Sequence, residues 1–166
     1  LSLRRQRQMC IRDRRFTLDT NWRSTTPMVE AVNRVFAQHD DPFLIDGIGF
    51  HAARAAGRAD EKPLRIVAPE QRAALTLVLA DPEQTGLEDN KADAQHWQAG
   101  WIAAEIRRLL SLAAQGKAMQ GDRPLAAGDI AVLVRGHNEA RQVRDALAAE
   151  AIGCVYRGRQ SVFTTV

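Results

Sequence analysis

The sequence predicts an α/β fold built on a mainly parallel sheet flanked by helices. Three observations carry that expectation. Ile130-Ala131-Val132-Leu133-Val134 is an unbroken apolar run, the pattern of a strand covered on both faces in a parallel sheet. Apolar residues recur at helical spacing over 28–36, 93–114 and 138–149, as helices that bury one stripe require. Shorter strand-like segments stand between these helices, and strands alternating with helices mark a sheet with helices packed on it.

In chain order, the first strand signal is Phe16 and Leu18, which runs into the stretch Thr17-Leu18-Asp19-Thr20-Asn21-Trp22-Arg23-Ser24-Thr25-Thr26-Pro27. Thr26 suits a helix N-cap, where its hydroxyl can take an orphan backbone N–H, and Pro27 suits the first helical position. Met28, Val29, Val32, Val35 and Phe36 form one apolar stripe. The helix is expected to stop by Asp40-Asp41-Pro42, since proline disfavours helical backbone in the residue before it. Residues 43–62 hold Gly47, Gly49 and Gly57 among scattered charges and read as loop. Pro63–Val67 and Leu75–Leu79 read as strands, and residues 82–90 as an acidic, turn-rich connector. A helix over 93–114 places Trp97, Trp101, Ile102, Ile106, Leu109 and Leu110 on or beside one face, with Arg107 and Arg108 turned away. A second connector over 115–128 leads to the strand 130–134, a helix over 138–149 and a short strand at Cys154-Val155-Tyr156.

The 166 residues are the size of one domain, with 45% hydrophobic and 26% charged residues, an ordinary globular balance. The net charge of +3 is misleading as a sign of a polyanion partner. Residues 1–15 carry six arginines and one acid, leaving 17 basic and 19 acidic residues in the remainder. The body is therefore close to neutral, and overall charge is no argument for nucleic-acid binding. The head resembles a translated sequencing adapter, so residues 1–14 are expected to be non-native or disordered. A presequence or a nucleic-acid arm is the functional alternative. Two cysteines, Cys10 and Cys154, provide no disulfide framework or metal cluster, which points to a reducing cytoplasm. No run approaches the roughly 18 apolar residues of a membrane span.

Few residues offer chemistry. Gly116-Lys117 lacks the upstream glycine and following hydroxyl of a phosphate loop. His39, His51, His96 and His137 stand alone, without a carboxylate or cysteine at ligand spacing, so no metal site is expected. Asp40-Asp41 reads as a helix end in solvent. Trp22-Arg23 is the exception, lying where a strand turns into a helix. An indole face can cover a base, and a guanidinium fork can hold a terminal phosphate. The plain alternative is a half-buried Trp beside a solvated Arg.

The order Asn21-Trp22-Arg23-Ser24, with the helix Met28–Phe36 behind it, resembles the fourth motif of the superfamily-one, UvrD-like DNA helicases. The resemblance continues through Asp129–Arg135, Glu139–Leu147, Ala151–Tyr156 and Ser161–Thr165. Trp after the Asn, Pro42-Phe43 and Ser161-Val162-Phe163 are similar to the RecB family, the beta subunits of exodeoxyribonuclease V. The match covers about residues 15–166 and is weakest over 53–94.

The resemblance implies a RecA-like sheet, the second motor domain, present incompletely over 15–158, with 159–166 opening an inserted helical domain. It implies ATP and Mg²⁺ as cofactors, the Mg²⁺ ligands and phosphate loop lying outside this chain. Arg23 matches the arginine that reaches the γ-phosphate across the cleft, the catalytic role, and Trp22 the aromatic that stacks on adenine. Asn21 and Ser24 are expected to shape the turn instead. Arg135 matches a contact to single-stranded DNA. Two residues on, relatives often carry Asn where this chain has His137, a departure that weakens the second DNA contact. An ordinary strand-end charge is the alternative for Arg135. Trp97 and Trp101, four apart on one helical face, are expected to pack under the sheet, base stacking being the alternative.

For the whole protein the resemblance implies an ATP-dependent 3′→5′ helicase and exonuclease subunit in recombinational double-strand break repair. Its partners would be single-stranded and duplex-end DNA and RecC-like and RecD-like subunits, with no membrane. The fragment alone is expected to be inactive. The alternatives are a UvrD-type repair helicase without nuclease, and a non-catalytic α/β interaction module derived from a motor domain.

Overall fold

The computed structural model describes residues 18–45, 48–67, 73–86 and 90–157. The basic head, Phe16, Thr17 and Ser161–Val166 lie outside them. The architecture is α/β, in two compact units. One comprises the described residues up to Glu61 together with Ala73–Leu75, and the other those from Lys62 onward apart from that tripeptide.

In the first unit, strand β1 (Thr20–Asn21) pairs in parallel with β2 (Arg54–Ala55), Thr20 opposite Arg54 and Asn21 opposite Ala55. Helix α1 spans Thr26–Phe36, with Val29 buried. The N-cap is Thr25, not Thr26, one residue earlier than the hydroxyl–proline pattern suggests. Its carbonyl accepts from Met28 N and Val29 N at 3.1 Å, and its side chain makes no capping bond. Phe36, Phe43 and Phe50 pack together beyond the last turn, with ring centroids 5.3–6.5 Å apart. Asn33 then joins helix to strand: its Nδ2 donates to the Ala53 carbonyl at 2.7 Å, and its Oδ1 accepts from Ala53 N at 3.1 Å. Residues 43–62 are therefore not all loop. They contain β2 and a 3₁₀ turn, Arg58–Glu61. β2 is two residues long and has no apolar alternation, so its only signature is its pairing.

In the second unit, β3 (Leu64–Ile66), β4 (Ala118–Gln120) and β5 (Arg123–Pro124) form an antiparallel sheet in that order. The sequence predicts a mainly parallel sheet; among the described residues parallel pairing holds for β1–β2 alone. β4 and β5 fall in the stretch read as connector, where Gly121 turns the hairpin. Gly121 has φ +61, the left-handed backbone that favours glycine, and a Cβ there would crowd Lys62 Cβ at 3.2 Å. Arg123 holds Asp129 through two bonds of 2.6 Å, and Asp129 also accepts from Ala126 N at 2.9 Å. With the Arg123 guanidinium as the main cause, the Asp129 carboxyl is lowered to about 2.

After a single helical turn, α2 (Pro82–Thr85), the long helix α3 spans Lys91–Ala114. Asn90 caps its start by accepting from Asp93 N at 2.8 Å. At its end Gly116, φ +71, donates to the Ala113 carbonyl at 2.9 Å, and Lys117 N donates to Leu112 at 2.8 Å. This is a helix stop with its left-handed glycine, which accounts structurally for the Gly-Lys pair. Helix α4 spans His137–Ala149. α3 and α4 meet through Ala99, Ala103, Ile106, Val143 and Leu147, with Ile102, Leu110, Ile130 and Val132 packed around them. Arg107 closes the far end by pairing with Glu150.

Three expected strands are not strands here. Residues 75–79, 130–134 and 154–156 have no ladder partner among the described residues. The apolar run 130–134 buries only one side: Ile130 and Val132 lean on the α3–α4 core, while Leu133 is 95% exposed. Apolar composition can supply packing, but a strand also needs a neighbour to receive its backbone hydrogen bonds.

Candidate functional site

The first set of site residues lies in the turn between β1 and α1. Asn21 closes β1, and its Oδ1 accepts from Arg23 N and Ser24 N, both at 2.9 Å. One short side chain thereby takes two backbone donors and bends the chain sharply. The strand below is held by Arg54 N donating to the Asp19 carbonyl at 2.6 Å and Ala56 N to that of Asn21 at 2.9 Å. The Arg54 guanidinium also bonds the Asp19 carboxylate and holds it below its usual range. From the helix side, Asp60 accepts from Thr26 N at 2.8 Å and Thr26 Oγ1 at 2.5 Å. Those two bonds lower the Asp60 carboxyl as well.

On this pinned backbone the two side chains project outward. Trp22 is 67% exposed, too much for a core residue of its size. Arg23 is exposed, and no carboxylate pairs with it among the described residues. An open indole face beside an unpaired guanidinium can take a flat aromatic ligand that carries a negative group.

The second set lies at the end of the run 130–134. Arg135 precedes α4 and is exposed, yet it is not free. Its backbone N donates to Glu139 Oε2 at 2.8 Å and its Nη2 to Oε1 at 3.1 Å. Gln95 on α3 donates to the same Oε1 at 3.3 Å. The Arg135 backbone donor is the main reason that the Glu139 carboxyl lies below its usual range. His137, the first residue of α4, shares its Nδ1 with the Tyr156 hydroxyl at 2.5 Å, the rings edge to face with centroids 5.7 Å apart. A shallow cleft of about 300 Å³ opens beside Arg135, bordered by Gln95, Gln98, Ile102, Glu139 and Gln142.

Trp22 and Arg23 thus share one turn, and Arg135 and His137 share one helix start, each set within its own unit. Asp60, Glu139 and Tyr156 are additions that the motif reading misses. Glu139 had a signal, an acid in the first turn of a helix. Asp60, 34 residues from its partner, had none. Trp97 and Trp101 are half-buried on α3, whereas the helix contact itself is made through alanines.

The family described as UvrD-like helicase C-terminal domain matches residues 16–166. The chain is 43% identical over 157 residues to the RecBCD enzyme subunit RecB of Escherichia coli K12, covering 91% of this chain and 13% of that protein. It is 33% identical over 159 residues to the RecB subunit of Mycobacterium tuberculosis H37Rv, covering 92% and 13%. With the RecB subunit of Buchnera aphidicola from Acyrthosiphon pisum it is 30% identical over 164 residues, covering 91% and 13%. The chain spans about an eighth of the length of these relatives.

Proposed function

Since this chain belongs to the family of UvrD-like helicase C-terminal domains and has RecB homologues, we propose that it is part of an ATP-dependent 3′→5′ DNA helicase and exonuclease subunit of recombinational break repair. Within that subunit it supplies one wall of the ATP site. The observation that carries this reading is the pinned turn with its exposed Trp22 and its exposed Arg23, which has no carboxylate partner among the described residues. The indole covers the adenine, and the guanidinium lies against the terminal phosphate as negative charge builds on the transferred group. Magnesium supplies further charge neutralisation when bound. Its ligands and the phosphate loop belong to other segments of the full-length protein.

Arg135 and His137 contribute to the track of single-stranded DNA. Arg135 offers the guanidinium edges that Glu139 leaves open, and His137 the ring nitrogen that Tyr156 leaves open. The complete subunit works in the cytoplasm with RecC-like and RecD-like companions on duplex ends.

The test is Arg23→Ala in the full-length subunit. ATP turnover is expected to fall by about 10³–10⁵, the contribution of an arginine finger in related phosphoryl transfers, with DNA affinity nearly unchanged. Arg23→Lys should recover little, because a point charge does not reproduce the fork. Normal turnover by Arg23→Ala would overturn the assignment.

A further inference from the structure

Helix α1 starts only three residues after Arg23, so whatever fixes its first residue fixes one end of the Trp22–Arg23 turn. That first residue is Thr26. The N-cap, Thr25, gives no side-chain bond to the helix. The carboxylate comes instead from Asp60, in the 3₁₀ turn beyond β2, with Oδ1 2.8 Å from Thr26 N and Oδ2 2.5 Å from Thr26 Oγ1. A negative group at a helix N-terminus is favoured by the peptide dipoles, and its hydrogen bonds are charge-assisted. The other end of the turn is fixed by the two bonds to Asn21 Oδ1 and by the β1–β2 ladder. β2 leads through Gly57 (φ +78) into the turn that carries Asp60. The chain from Asn21 to Thr26 is thereby clamped at both ends by groups from one continuous segment, residues 54–60.

We infer that Asp60 is a positioning residue for the nucleotide site. It acts through Thr26 to hold the turn so that Trp22 and Arg23 meet adenine and phosphate at one fixed separation. This rests on the reading of Trp22 and Arg23 as nucleotide contacts. Asp60 itself touches no nucleotide. Its effect is to pre-organise, and a reacting group misplaced by about 1 Å is worth about a hundredfold in rate.

The experiment uses the full-length subunit and single-turnover ATP hydrolysis. Asp60→Ala should lower the rate by roughly ten- to a hundredfold with DNA affinity unchanged. Asp60→Asn should restore most of it, since its amide oxygen can accept from Thr26 N and its NH₂ can donate to a rotated Thr26 hydroxyl. Thr26→Val, which keeps the N–H and removes the hydroxyl, should give a smaller loss of the same kind. In an Arg23→Ala background, adding Asp60→Ala should cost nothing further, because groups that act as a unit are not additive. A purely structural Asp60 predicts the opposite: losses that multiply with Arg23→Ala and a lowered melting temperature. That pattern, or full activity of Asp60→Ala beside an inactive Arg23→Ala, overturns the inference alone. Full activity of Arg23→Ala would instead remove the nucleotide reading on which it stands.

Discussion

Arg23 and Arg135 differ in what surrounds them, and the difference sets what each can do. Arg23 extends from a turn whose backbone donors are already taken by Asn21, with no carboxylate paired to it among the described residues. Among the described residues nothing offsets its charge. Arg135 is balanced by Glu139, whose side chain is only 22% exposed against 84% for the arginine. A phosphate approaching Arg135 meets that negative charge too, so in the proposed DNA track Arg135 would contribute less to salt-dependent affinity than an unpaired arginine. In the proposed site Trp22 and Arg23 have different tasks. Stacking on adenine is present in ground and transition states alike, so Trp22→Ala in the full-length subunit should raise the ATP KM more than it lowers kcat. Steady-state kinetics decide this, and a fall in kcat with KM unchanged would contradict it. The Trp–Arg pair was legible because both residues sit together in sequence. Asp60 was not, because a contact spanning 34 residues leaves no local pattern.

At the level of elements, the α3–α4 pair shows where the apolar stripe does its packing. The conspicuous residues of α3 are its tryptophans, yet Ala99 and Ala103 meet α4, followed by Ile106 one turn on. Small side chains let the helix axes approach, and Val143 and Leu147 fill the space from α4. Leu147→Ala in the 166-residue chain should therefore cost about 2–5 kcal/mol, as deletion of a buried leucine side chain does. Leu133→Ala should stay within about 0.5 kcal/mol, as exposed positions do. Denaturant unfolding of the two variants checks the contrast, and equal losses would mean that the run 130–134 is buried after all. Helices α1, α3 and α4 were readable because their periodicity is local and long. The strands were not: β2, β4 and β5 have two or three residues each, and pairing, which defines them, is a property of the partner as much as of the strand.

For the whole molecule, the fold class was legible from the alternation of segment types, while the two-unit division was not, since it depends on which short strands find each other. The proposed half-site has a direct consequence. Trp22 and Arg23 form one wall, and no phosphate loop occurs in the sequence, so the isolated 166-residue chain should hydrolyse no Mg²⁺-ATP above background and bind ATP weakly at best. Robust turnover by a clean preparation would refute the half-site. The stretch 130–134 governs how such a preparation behaves. Its backbone has no ladder partner among the described residues, and Leu133, the fourth of five consecutive apolar residues, stands in water. An apolar, β-prone segment without a ladder is a template for another of its kind, including the same residues in a second copy. Concentration therefore sets how long the chain stays dispersed, and a lysine in place of Leu133 is the change that keeps it from growing into aggregates.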